Sequence, residues 1–302
     1  MAKRLLVSTL DASRNWILPR VGGKPGSLEC RYVRRAPEYA SVYVSSHYGC
    51  RMGCKFCHLT HMGPEHQSMK GATLDDYRRQ LAIVMEHVHK QTPLPSSKIN
   101  INFMARGDCL ANPTVVRQYA SLYDSYKQLI VSSSQPALKM NLSTIMPNVV
   151  RPHSLVDMFA GRPAYMYYSL YSTDEAFRKR WLPNAMPYQA ALEKLHEYQQ
   201  ATGHELTFHW AFIRRQNDSP SQVDHLCRTI EAMRFSSSTK FNLVRFNPPP
   251  GPEGHEMHEP DEESLRQLWV TINSVMQDKR QRGRIIDRVG KDVNASCGMF
   301  TP

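Results

Sequence analysis

No stretch of this 302-residue chain approaches the roughly 18 uninterrupted apolar residues that a membrane span needs, and mean hydropathy is −0.50. The opening segment, MAKRLLVSTLDASRN, has too short an apolar part for a secretory signal and is interrupted by Asp11 and Arg14. A cytoplasmic protein with no membrane partner is expected. Internal repeats and low-complexity tracts are missing, apart from a Pro248–Pro249–Pro250–Gly251 turn. With 41% hydrophobic and 22% charged residues, the composition excludes a disordered tail, a collagen and a coiled coil. Acidic residues are the scarcer sign, 27 against 38 Lys and Arg, for a formal charge of +11. Such an excess attracts polyanions, nucleic acid first among them, although solvated cationic faces give the same balance. The basic residues cluster at Arg31, Arg34 and Arg35, at Arg178, Lys179 and Arg180, and at Lys279, Arg280, Arg282, Arg284 and Arg288.

Periodicity alternates between strand-like and helix-like segments. Strands are expected at 41–46, 99–104, 139–143, 165–171, 206–212, 240–246 and 284–289. Between them, Thr73 and Asp76 form a capping-box pattern ahead of Tyr77, Leu81, Val84, Met85 and Val88 at helical spacing. Further helices are expected at 113–127, 187–200, 219–233 and 261–277. Repeated strand–helix alternation implies a parallel sheet, so the chain reads as α/β, a partial (β/α)6-type TIM-like barrel with short N-terminal and C-terminal additions. The expected division is a basic extension over 1–35 and a barrel over 36–302 that includes the C-terminal cysteine tail. Active sites of such barrels gather at the C-terminal ends of the strands.

Seven cysteines are an odd number, and three crowd together as Cys50, Cys54 and Cys57. Clustered thiols fit a reducing compartment and a metal or catalytic role better than a disulfide framework. Three thiolates on one short loop can hold three irons of a [4Fe–4S] cube and leave the fourth open. Zinc completed by His58 and His61 remains open, as do three unrelated buried cysteines; a second CxxC or a His pair at finger spacing is lacking. The remaining thiols, Cys30, Cys109, Cys227 and Cys297, are scattered.

The CxxxCxxC loop followed by an α/β pattern resembles the radical S-adenosylmethionine (radical-SAM) superfamily. Residues 44–50 (VSSHYGC) resemble the VSSxxGC segment of the RlmN/Cfr-type RNA methyltransferases. Residues 103–112 are similar to that family's FMGMGEPLxN segment, 142–144 to its LST strand and 169–171 to its SLH strand. Residues 245–251 resemble its WNPxPG turn, and 290–298 its GxDIxAACG tail. The matches follow family order over almost the whole expected barrel.

The resemblance implies that Cys50, Cys54 and Cys57 hold the cluster and that SAM binds its open iron. Gly107 and Asp108 would meet the SAM amino group, with Asp108 shorter than the family's glutamate. Ser143, Ser169, Leu170, Tyr171 and Asn247 would complete the SAM pocket. Cys297 would accept a methyl from one SAM, and Glu29 would act as proton acceptor. The implied product is an adenine ring carbon (carbon 2 favoured over carbon 8) methylated in rRNA or tRNA, with flavodoxin or ferredoxin as electron donor.

The family's second mechanistic cysteine falls on Tyr43, and a phenol cannot form its disulfide. Cys30 and Cys109 are the candidate substitutes. Fewer residues precede Glu29 than in the family's RNA-binding extension; Lys3, Arg4, Arg14, Arg20, Lys24 and the basic tail would supply phosphate contacts. Two other readings stay open. One is a radical-SAM reaction of different outcome on a nucleotide, nucleic acid or protein. The other is a non-catalytic RNA-binding descendant that keeps the cluster as structure.

Overall fold

The computed structural model describes residues 3–91, 94, 98–130, 137–276 and 283–302. One ten-stranded sheet runs in strict chain order. It opens with an antiparallel meander of β1 (Arg4–Val7), β2 (Arg14–Pro19), β3 (Ser27–Ala36) and β4 (Tyr39–Val44). From β4 onward every pairing is parallel, through β5 (Lys98–Phe103), β6 (Ala137–Thr144), β7 (Tyr165–Tyr168), β8 (Leu206–Trp210), β9 (Lys240–Val244) and the two-residue β10 (Ile285–Ile286). Seven parallel strands, β4 to β10, joined by six helical crossovers make the expected partial TIM-like barrel. The stretch 1–35, unassignable from periodicity, holds β1, β2 and most of β3.

The helices follow in chain order as α1 (His58–His61), α2 (Leu74–Val88), α3 (Pro113–Ile130), α4 (Leu155–Met158), α5 (Glu175–Trp181), α6 (Tyr188–Thr202), α7 (Pro220–Met233), α8 (Pro252–His255) and α9 (Glu262–Val275). Thr73 and Asp76 close a reciprocal capping box at the start of α2. That helix buries Tyr77, Leu81, Val84, Met85 and Val88, the stripe legible in the sequence. Ser219 caps α7 with Pro220 in its first turn, and Asp261 caps α9. The basic residues Lys279, Arg280 and Arg282, and the expected end of α9 at 277, lie outside the described residues.

Several expected strands end early; those expected at 240–246 and 284–289 stop at Val244 and Ile286. The one beginning at Tyr165 stops at Tyr168, and Tyr171 takes φ +61°. The one beginning at Leu206 stops at Trp210. In each case the chain leaves the sheet at the barrel's C-terminal rim, where loops build the site.

Strand alternation sets what faces the barrel lumen. In β5, Ile99, Ile101 and Phe103 are buried in the hydrophobic core, while Lys98, Asn100 and Asn102 line the lumen. The same division recurs in β6 and β9, with Lys139, Asn141, Lys240 and Asn242 inward. Period-two patterning thus packs the apolar face under the helices and leaves a polar interior.

Candidate functional site

The loop after β4 carries the three clustered cysteines. It bends at Gly49, where a Cβ would meet the His66 carbonyl oxygen at 2.3 Å, and tightens where Cys57 N donates to Cys54 O at 3.0 Å. Cys50, Cys54 and Cys57 line one cavity of about 150 Å³ together with Cys297. Gly107, Asp108, Ser143, Ser169, Tyr171 and Asn247 lie on its other walls. Leu170 is fully buried and lines neither this cavity nor the lumen; its carbonyl accepts from Arg178 Nη1 at 2.5 Å.

Burial pushes the Cys50 thiol up to about 11 and Cys57 up to about 12, and holds Cys54 well above its usual range. Cys50, Cys57 and Asp108 all raise Cys54 further, so groups able to become anions face one another. A multi-iron centre of positive charge suits such a donor set. Among the described residues, no three His, Cys, Asp or Glu side chains converge as a single-ion site. That arrangement does not assemble zinc with His58 and His61. Their Nε2 atoms instead donate to the carbonyls of Pro248 (2.9 Å) and Lys55 (2.5 Å). Thiolates spread over separate irons need no common point.

Gly107 turns at φ +85°, and a Cβ there would sit 2.4 Å from His47 Nδ1. Gly107→Ala is therefore expected to displace the loop. An overpacking cost of about 1–3 kcal/mol is expected, read by thermal melting. Beside it, the Asp108 carboxylate accepts from Leu110 N (3.0 Å), Thr144 Oγ1 (3.0 Å) and Ile145 N (2.9 Å). Burial nevertheless raises its pKa to about 6.

His209 escaped the sequence reading. It sits on β8 with Ser143 Oγ 3.4 Å from Nε2 and Ser169 Oγ 3.5 Å from Nδ1. Burial lowers its pKa to about 4, so the ring is neutral at pH 7 and presents one donor and one acceptor. The signal was its position between Phe208 and Trp210, which directs it inward by strand alternation.

Cys297 is solvent-accessible at the junction of this cavity and the lumen. Its surround is crowded enough that burial raises the thiol pKa, with Arg31 and Arg35 pulling the other way. Asn247 Nδ2 donates to the Cys297 carbonyl at 2.9 Å. The rest of the tail is tied down from below. Arg31 donates to the carbonyls of Ser296 (3.4 Å) and Met299 (2.7 Å) and lies over the Phe300 ring. Arg106 reaches the Thr301 carbonyl.

Glu29 joins these groups. It is fully buried, accepts from Thr301 N at 2.9 Å and pairs with Arg31 (2.7 Å) and Arg106 (2.8 Å). Burial alone would raise its pKa, but the two guanidinium groups outweigh that and hold it low. It lines neither cavity, and a carboxylate held ionised in this way is a weak base. In this position Glu29 anchors the tail. Basic clusters inferred from sequence are likewise partly structural: Arg31 and Arg178 are buried clips rather than solvated charge.

Tyr43 lines the lumen, and its hydroxyl accepts from Arg35 Nη1 at 3.2 Å. Cys30 is fully buried in the hydrophobic core; Cys109 is fully buried with Sγ 3.2 Å from Ser143 O. Neither lines the cavities that Cys297 borders.

No protein-family model matches the chain. Curated relatives include a probable dual-specificity RNA methyltransferase RlmN of Salinibacter ruber, 27% identical over 86% of this chain and 65% of its own length. A dual-specificity RNA methyltransferase RlmN of Lawsonia intracellularis is 24% identical over 85% of this chain and 66% of its own. The ribosomal RNA large subunit methyltransferase Cfr of Shouchella clausii is 26% identical over 94% and 75%. The chain thus spans about two thirds of the length of the first two. Among solved structures, a radical SAM methyltransferase from Sphaerobacter thermophilus superposes with a TM-score of 0.77 at 17% identity, over 99% of this chain and 80% of that one. The shared fold is a partial TIM-like barrel.

Proposed function

We infer from the similarity to RlmN and Cfr methyltransferases that this protein is a radical-SAM methyltransferase acting on an adenine ring carbon in rRNA or tRNA. Carbon 2 is favoured over carbon 8, and Cys297 is the methyl carrier. One observation carries the reading: an accessible cysteine shares a cavity with the three-cysteine loop. Residues 36–302 are the catalytic unit and 1–35 the extension that supports its tail, in a protein of the cytoplasm.

Cys50, Cys54 and Cys57 would hold a [4Fe–4S] cluster. When bound and reduced by a donor such as flavodoxin or ferredoxin, the cluster would supply the electron for reductive cleavage of SAM. Asp108 would meet the SAM ammonium beside the bare Gly107 backbone, while Ser143, Ser169, Tyr171 and Asn247 bound the remaining walls of the cavity. The Cys297 sulfur, once its proton leaves, takes the methyl group of one SAM and releases S-adenosylhomocysteine. A thiolate is an excellent acceptor for that transfer, and sulfur stabilises the adjacent carbon radical left when a second SAM's radical removes one methyl hydrogen. His209, neutral at pH 7, orients the Ser143 and Ser169 hydroxyls.

The test is turnover with methyl-labelled SAM, reductant and cellular RNA. Labelled adenine together with 5′-deoxyadenosine supports the reading. SAM cleavage with unlabelled RNA would favour a different radical reaction, for which Tyr43 speaks. RNA binding without SAM cleavage would favour the non-catalytic descendant. Because Cys30 and Cys109 are sealed away, Cys30→Ala and Cys109→Ala are expected to keep methylated-RNA yield per folded protein at the wild-type level. Loss of turnover in either would give the resolving role back to that thiol.

A further inference from the structure

Barrel interiors are usually filled by layers of Val, Ile and Leu. This lumen instead encloses about 340 Å³, within the range of small-molecule sites. Its walls carry Asn100, Asn102, Asn141 and Asn242, with the Tyr43 and Tyr167 rings beside them. Asn141 is 3% exposed, and its Oδ1 has no hydrogen-bond partner although its Nδ2 donates to Asn102 Oδ1 at 2.8 Å. An unmet acceptor of that kind carries a desolvation cost that a ligand donor would relieve.

Charge is unevenly spread along the lumen. Near Cys297, the cations have partners: Arg31 pairs with Glu29, Arg245 and Arg288 with Glu259, and Arg35 Nη1 donates to the Tyr43 hydroxyl. At the opposite end, where the parallel strands begin, Lys98, Lys139, Lys240 and Arg284 face in. Among the described residues, Glu205 is the carboxylate paired with these cations, serving both Lys139 (2.9 Å) and Lys240 (2.6 Å), while Asp287 follows β10 toward the Cys297 end. Lys98 rests over the Tyr39 ring at 5.5 Å. Burial, with Lys139 and Arg284 nearby, pulls the Lys240 pKa down, the expected response of a cation in an overcharged pocket. The six residues of β5 descend roughly 13 Å along the axis at ordinary strand rise and tilt, enough for base, sugar and phosphate in line.

We propose that the lumen is a binding site for a small nucleoside phosphate, with the base among the asparagine amides and aromatic rings and the phosphate on the cationic floor. Side-chain amides match the donor and acceptor pair of a purine edge, and aromatic faces stack on any base. The phosphate must be terminal, since the floor is at the end of the lumen remote from Cys297. Binding needs neither Cys297 nor reduction, so its failure leaves the methyl-carrier reading intact.

Calorimetric titration of cluster-loaded, oxidised protein with AMP, adenosine and inorganic phosphate is the test. AMP is expected to bind at least tenfold tighter than adenosine, with an advantage that shrinks as salt rises. A Lys98→Met, Arg284→Met double variant should lose most of that advantage while adenosine affinity stays unchanged. Lys98→Arg, which keeps the charge, should retain it and guards against a folding defect. Equal affinities for AMP and adenosine, or an AMP advantage that survives the double variant, would overturn the proposal. Inorganic phosphate binding as tightly as AMP would overturn its nucleoside part.

Discussion

Replacing Cys297 by Ala should abolish methyl transfer to RNA while leaving reductive SAM cleavage measurable. The thiol is the atom on which the proposed chemistry turns, and no other cysteine of the described residues outside the three-cysteine loop borders the same cavity. The loop cysteines, Asp108 and Gly107 are untouched by the change, so 5′-deoxyadenosine formation should persist. Paired assays of labelled RNA and 5′-deoxyadenosine on one preparation read both quantities. If Cys297→Ala still methylated RNA, the tail cysteine would be a bystander. A parallel loss of SAM cleavage would instead mean that the tail helps to form the SAM pocket, and the variant would then say nothing about a carrier.

The second large effect is expected at Glu29, from its anchoring position. Glu29→Ala leaves two buried guanidinium groups, Arg31 and Arg106, facing each other without a carboxylate. Breaking a buried pair in this way costs about 3–5 kcal/mol. A drop in melting temperature on the order of 10 °C follows for a domain of this size. The tail should loosen with it, because Thr301 N loses its acceptor and Arg31, which holds Met299 and Ser296, loses its counterion. Faster alkylation of Cys297 by iodoacetamide and earlier proteolysis beyond residue 290 would report that loosening.

A proton acceptor predicts a different pattern: unchanged melting, unchanged Cys297 reactivity and a product stalled before proton loss. The anchor also fixes the sign of the acid response. Glu29 has a folded pKa held below its unfolded value near 4.5, so its contribution is complete above that value. It is lost as pH falls through the lower, folded pKa. Acid melting curves should therefore lose a wild-type advantage that Glu29→Gln never has.

What the sequence made legible was local. The CxxxCxxC spacing, the Thr73 capping box and the α2 stripe depend on neighbours within a few turns of chain, and each stands where expected. The parallel sheet and partial barrel followed from the alternation of strand and helix. Long-range placement was hidden. Glu29 meets Thr301 across 272 positions, and nothing near Glu29 announces that the chain end returns to it. Arg178 reads as surface charge but is a buried clip between Leu170 and Met186. The meander β1–β3 was invisible because its strands derive their support from each other and from the tail. His209 and the polar lumen were written in the alternation, but their meaning needed the barrel closed around them.

The most direct test is peptide mass spectrometry of Cys297 in protein purified without oxygen from RNA-containing cells, after nuclease and protease digestion. The methyl-carrier account predicts a methyl group on Cys297, or a nucleotide joined to it through one carbon, whose mass identifies the base. An unmodified Cys297 in cluster-loaded protein that still cleaves SAM would contradict it.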